Sequence, residues 1–390
     1  MKMKKQLKQL SLAMAVGLAF AGSALAQEVV KIGYSGPLSG GAAQYGKNVL
    51  MGMEMAANEI NAKGLEVGGK KYKVEIVPLD DKYNPSETAI NVQRLVQQHK
   101  APVVLVPHSG GIFAVQAFNE KTDTLLLGYS SLPTLTARGN KLTVRIPPDI
   151  TIYQEPFSKY EMGRFGKKAG LAPADHDYAK AWTTMFKATW EKSGGEIVSE
   201  NPMSYNKSTD FYSGVSRVVQ GKPDVMFIGG ASEPTALVAK QARDLGFKGG
   251  FVVMDQAKLD EMAKVVGGYG PLEGSIGVMP LTEDTDPNVQ AFVERFKKAN
   301  TDKVPTTEIS LNYSAVHATA IAMKLAGTVT DAKAIRANMD KAIKSLPKEN
   351  NPNSLEGLDD KGGTLANVTV AAVENGKIKA INLRTLNGSK

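Results

Sequence analysis

Residues 29–64 read VVKIGYSGPLSGGAAQYGKNVLMGMEMAANEINAKG: a short apolar strand, a Gly/Ser/Pro turn, then a long amphipathic helix that opens beside the turn. That order puts free backbone N–H groups and the positive end of a helix dipole at the carboxyl edge of a sheet. Open α/β sheets bind their ligands at that edge. The pattern then repeats. Lys31 to Tyr34, Val74 to Leu79, Val103 to Val106 and Leu125 to Leu127 read as short buried strands, separated by patterned helices starting at Gln44, Pro85 and Gly111. Such alternation predicts a mostly parallel sheet with helices on both faces.

A second series follows. It predicts helix 152–167, a weak strand near Gly170, helix 178–192, a strand at Ile197, helix 212–220, strand 225–228, helix 235–245 and strand 251–254. Two such sets exceed one ordinary core, so the chain should fold into two α/β lobes. Beyond Ser275 to Pro280, helices are expected at 289–298, 310–326 and 332–346. Strands 368–373 and 378–383 then flank Asn375-Gly376, a hairpin signal.

Address and composition narrow the possibilities. Lys2, Lys4, Lys5 and Lys8 precede an apolar run from Leu10 to Phe20 that ends in Ala24-Leu25-Ala26, the layout of a secretory signal peptide over residues 1–26 with Gln27 as the mature start. Loss of those four lysines lowers the formal net charge from +8 to +4, too mild for a nucleic-acid footprint. No later segment approaches the ~20 apolar residues of a membrane span. With no cysteine there is no disulfide framework and no lipid anchor on a leader Cys, and four histidines without ligand spacing argue against a metal or other cofactor.

Two enzymatic motifs can be weighed directly. Residues 41–47 match G-x-x-x-x-G-K, but residue 48 is Asn where a P-loop needs Ser or Thr, and the match runs into a helix. A nucleotide site is not expected. The chain has no G-x-S-x-G elbow, and His108-Ser109 is the only adjacent His/Ser pair, too close in sequence to act as base and nucleophile. A secreted amidohydrolase is therefore the weaker reading, and no catalytic residue is assigned.

Ser35 to Gly40 and Ile60 to Gly64 carry an S-G-P-x-[SG]-G turn and an I-N-x-x-G helix end. In these pieces, and in the strand and helix order of the mature chain, the protein resembles periplasmic receptors of the leucine/isoleucine/valine type, the soluble components of ABC importers. The resemblance implies a type I two-lobed fold with a three-crossing hinge. The first lobe would comprise residues 27–146 and 280–355, the second 147–279 and 356–390, with crossings near Arg145 to Pro148, Gly277 to Pro280 and Asn353 to Gly357. It also implies a monomeric, non-enzymatic receptor in the periplasm that closes on a small amino acid and delivers it to an inner-membrane permease and its ATPase subunits.

The same resemblance assigns a site. Ser109 and Gly110, in the turn after strand 103–106, and Ser130 and Ser131 after the next strand face the ligand carboxylate; Tyr45 supplies an apolar wall. By itself, without the resemblance, Ser109 reads as an ordinary helix N-cap. From the second lobe, Tyr178 in Asp175-His176-Asp177-Tyr178 closes over the ligand, and Asp255 pairs with its ammonium. Two departures stand out: Ala179 replaces the usual glycine, and Gly229-Gly230-Ala231 puts Ala231 where an aromatic is common. Small residues there would widen the cleft. An amide, a urea-like solute or an aromatic carboxylate is the alternative ligand.

Overall fold

The structure, a computed structural model, describes residues 28–386; the leader expected over residues 1–26 lies outside the described residues. The first sheet contains β1 (Glu28–Gly36), β2 (Leu65–Val67), β3 (Lys70–Asp80), β4 (Val103–Val106), β5 (Leu125–Gly128) and β6 (Thr143–Arg145), in the order β2-β3-β1-β4-β5-β6. All neighbours run parallel except the short β2–β3 pair. The central strands Val-Val-Leu-Val and Leu-Leu-Leu-Gly are buried at every residue, because helices cover both faces. Alternate residues of β4 go to opposite faces. Val103 and Leu105 join a core with the helices Ala43–Lys63, Pro287–Ala299 and Thr307–Ala326, while Val104 and Val106 join one with Pro85–Gln97 and Ser109–Gln116.

The second sheet takes β7 (Lys168–Pro173), β8 (Glu196–Glu200), β9 (Val225–Gly229), β10 (Gly250–Val253) and β11 (Ser275–Val278). A two-stranded ribbon, β12 (Leu355–Leu358) with β13 (Thr364–Ala366), intervenes before β14 (Thr369–Glu374) and β15 (Lys377–Asn382) complete that sheet in the order β15-β14-β11-β10-β9-β7-β8. The last pair is the expected hairpin, with Asn375 and Gly376 at φ 55° and 69°, the left-handed values that its two-residue turn requires.

Two expectations need correction. The third crossing lies later than Asn353 to Gly357: Leu355 and Leu358 pack in the first-sheet core, and Arg145 N–H donates to Gly362 O at 3.0 Å, so the ribbon stays with the first lobe and the chain crosses at Asn367–Val368. Helix 332–346 is two helices, Ala332–Ala337 and Met339–Lys344. At the break, Asn338 Nδ2 donates back to Ala334 O at 2.9 Å, a local bond that competes with helix continuation. Gly46 does not serve a phosphate loop; it lies inside the helix Ala43–Lys63, where a Cβ would stand 1.7 Å from Pro37 O. The glycine permits that close approach.

Candidate functional site

The carboxyl edges of the two sheets face each other across a cleft with about 510 Å³ of space not filled by atoms. Of the residues expected at the site, Tyr45, Ser109, Ser130, Ser131, Tyr178 and Asp255 line it. Gly110 and Ala231 do not line it. Gly110 packs beside Pro85 and Asp177 at the lobe interface, and Ala231, preceding the helix Ser232–Asp244, borders a separate chamber at the outer rim.

In the first lobe the turn after β4 is built on a buried charge. His108, not Ser109, is the N-cap of the helix Ser109–Gln116: its Nδ1 accepts from Gly111 N–H at 3.0 Å. An accepting Nδ1 leaves the proton on Nε2, which donates to Asp81 Oδ2 at 3.0 Å. Ser35 Oγ and Thr88 Oγ1 donate to the same carboxylate oxygen at 3.1 and 2.8 Å, so Asp81 locks β1, the helix Pro85–Gln97 and the turn together. With His108 occupying the cap, Ser109 becomes the first helical residue. Its hydroxyl lies 2.8 Å from that of Ser130, and the amides of Ser109 and Gly110 head the helix.

The second lobe contributes Asp255, just past β10 and 9 % exposed. Its Oδ1 accepts from Tyr178 OH and from Trp182 Nε1 at 3.1 Å; its Oδ2 accepts from Ser131 Oγ of the opposite lobe at 2.7 Å. Trp182 is completely buried, held between Phe227 at 5.5 Å and Tyr153 at 6.4 Å. Burial and the neighbouring carboxylate push the Tyr178 phenol well above its ordinary range, so it donates. A carboxylate has about four acceptor positions, so Asp255 retains room for one more donor.

Sequence reasoning missed Tyr83, Tyr129, Tyr153, Gln256, Lys258 and Thr307, all of which line the cleft. Tyr83 and Lys82 have φ of 63° and 53°, left-handed values held by N–H bonds to Asp81 and Asp80. This turn stacks Tyr83 on His108 at 4.7 Å and brings its hydroxyl 3.1 Å from Gln256 Nε2 across the cleft. The run Asp80 to Asn84 directly after a strand was the available signal. Lys258, 4 % exposed, donates to the carbonyls of Asp255 and Gln256 and pairs with Glu308 of the first lobe at 2.8 Å.

A sequence model of the family described as periplasmic binding protein matches residues 29–377. The chain belongs to this family. This periplasmic binding protein is 25% identical over 363 residues to a leucine-, isoleucine-, valine-, threonine- and alanine-binding protein of Pseudomonas aeruginosa, covering 92% of this chain and 93% of that one. Its fold is similar to that of a branched-chain amino acid transporter substrate-binding protein from Streptococcus pneumoniae solved with isoleucine, at TM-score 0.78 and 24% identity over 91% of this chain and 99% of that one. It is also similar to an ABC-transporter solute-binding protein from Rhodopseudomonas palustris solved with benzoate, at TM-score 0.75 and 18% identity over 91% and 96% of the two chains. Among the described residues no helix is long and apolar enough to cross a membrane, and no group of His, Cys, Asp and Glu could hold a metal ion.

Proposed function

We propose that this periplasmic binding protein is the solute receptor of an ABC importer that captures an α-amino acid with an apolar side chain and hands it to a membrane permease with its ATPase subunits. One observation carries the reading. The second-lobe carboxylate of Asp255 meets the first-lobe hydroxyl of Ser131 at 2.7 Å, beside the hydroxyls of Ser109 and Ser130, so an ammonium acceptor and carboxylate donors share one cleft. Tyr45 commits its hydroxyl to Pro107 O at 2.6 Å and offers its ring as an apolar wall with Tyr129, 6.1 Å between centroids. Closure of the two lobes buries the solute, and the expected leader over residues 1–26 delivers the chain to the periplasm. The receptor acts without chemistry on its solute.

A second reading is favoured by the cleft's five tyrosines, Tyr45, Tyr83, Tyr129, Tyr153 and Tyr178. They suit a planar aromatic carboxylate, which would leave Asp255 to its protein donors. A thermal-shift screen separates the readings. A solute at a hundredfold its Kd stabilises the protein by about 2.7 kcal/mol. Apolar amino acids should raise the melting point while their amides and benzoate do not; a response to benzoate alone would transfer the assignment to aromatic acids.

A further inference from the structure

The lobes meet a second time at the outer rim of the cleft, around Glu261 on the helix Leu259–Val266. Asn48 of the first lobe donates through Nδ2 to Glu261 Oε1 at 2.7 Å, its amide oriented by Gln44 Nε2, which donates to Asn48 Oδ1 at 2.8 Å. Ser232 donates to Glu261 Oε2 at 2.6 Å and accepts from Lys258 N–H at 3.0 Å. Beside this contact lies the buried Lys258–Glu308 pair. Asp260 is buried next to it, and Asp260 Oδ2 and Glu308 Oε2 have no hydrogen-bond partner.

The charge count is unbalanced. Closure brings Asp260, Glu261 and Glu308 within reach of one another with one buried ammonium, Lys258, paired to Glu308; the other charged groups lining the chamber, Lys47, Glu233, Lys264, Asp302 and Lys303, are exposed and screened by water. Asn48 and Glu308 belong to first-lobe helices, whereas Ser232, Lys258, Asp260 and Glu261 belong to the second lobe. Opening therefore moves Glu308 away from Glu261 and returns the cluster to water.

We propose that closing the lobes takes up a proton on this cluster, with Glu261 as the group that holds it, so that mildly acidic solution favours the closed receptor. Burial, followed by the nearby Glu308 carboxylate, pushes the Glu261 carboxyl up from 4.5 to about 7 in the closed form, against the pull of its two donors. The sign follows from linkage. A group whose closed-form pKa exceeds its open-form value favours closure fully below the open value, and that advantage is lost as pH rises through the closed value. His176 acts in the opposite sense. Burial lowers it to about 4, against Tyr83 of the first lobe, so closure releases its proton. The wild-type profile is the sum, and the difference between wild type and Glu261→Gln isolates the cluster.

The role in solute capture rests on the receptor reading, but the lobe equilibrium can be followed without solute. The chain has no cysteine, so Lys63→Cys and Lys207→Cys place one spin label on each lobe. Interlobe distances would be recorded by pulsed EPR between pH 5 and 8.5, with and without isoleucine, in wild type and Glu261→Gln. Relative to the variant, the wild-type ratio of closed to open should fall with rising pH by up to about tenfold per unit between pH 5 and 7. At pH 8 the glutamine variant, which imitates the protonated acid, should be more closed than wild type by about tenfold or more. An unchanged difference across pH, or a variant more open than wild type at pH 8, overturns the proposal. Failure of isoleucine to close either protein would instead refute the amino-acid reading, leaving the solute-free series to decide the proton.

Discussion

Asp255 and Glu261 are both carboxylates of the second lobe that meet a first-lobe donor, Ser131 in one case and Asn48 in the other. Around Asp255 stand two further donors, Tyr178 and Trp182, so both of its oxygens accept hydrogen bonds. Around Glu261 stand Glu308 and Asp260, and its charge is opposed. At Glu261 burial is the larger influence, and the carboxylates that closure delivers add to it.

The contrast breaks most severely at Lys258, the buried cation that donates to the Asp255 carbonyl and pairs with Glu308. Lys258→Met should leave Glu308 as an uncompensated buried charge and weaken the closed state by about 3–5 kcal/mol, with Glu308→Gln in the same chain recovering much of the loss. Titration calorimetry with the bound solute checks this. The single variant should bind roughly 10²-fold or more weakly than wild type; additivity of the two substitutions would show that the pair does not couple. Next in size is Asp255→Asn, which replaces charge-assisted bonds and should cost about 1.5–3 kcal/mol of solute affinity without unfolding the lobe. Far-ultraviolet circular dichroism distinguishes these outcomes. Tyr83→Phe removes only the hydroxyl that reaches Gln256 across the cleft and should reduce affinity by about 0.5–1.5 kcal/mol. Equal affinity in that variant would make the Tyr83 turn a packing feature of His108 alone.

The fold was legible because parallel strands buried on both faces announce themselves as apolar runs, as in Val103 to Val106 and Val225 to Ile228. The ribbon β12–β13 was not, because Leu-Glu-Gly-Leu and Thr-Leu-Ala are too short to carry a period, and their place beside β6 is set by Arg145 and Gly362, far apart in sequence. At the cleft, Ser109, Ser130 and Ser131 come just after strand ends, and the resemblance to the receptor family is what singled them out. It did not single out Lys258 and Glu308. Each looks like an ordinary solvated charge in sequence, and only lobe closure makes them a pair 50 positions apart with exposures of 4 % and 1 %. The His108 cap was hidden for another reason: histidine competes with Ser109 for the same role, and Asp81, which fixes its tautomer, lies 27 residues away.

On the proposed reading the cleft recognises an amine and a carboxylate together, with Asp255 on the amine. The most direct measurement is a paired calorimetric titration of isoleucine and benzoate into wild type and Asp255→Asn at pH 7. Micromolar binding, about −8 kcal/mol, is expected for isoleucine in wild type, with a loss of about tenfold or more in the variant and no binding of benzoate to either. Benzoate binding that survives Asp255→Asn, with isoleucine silent, would contradict the account.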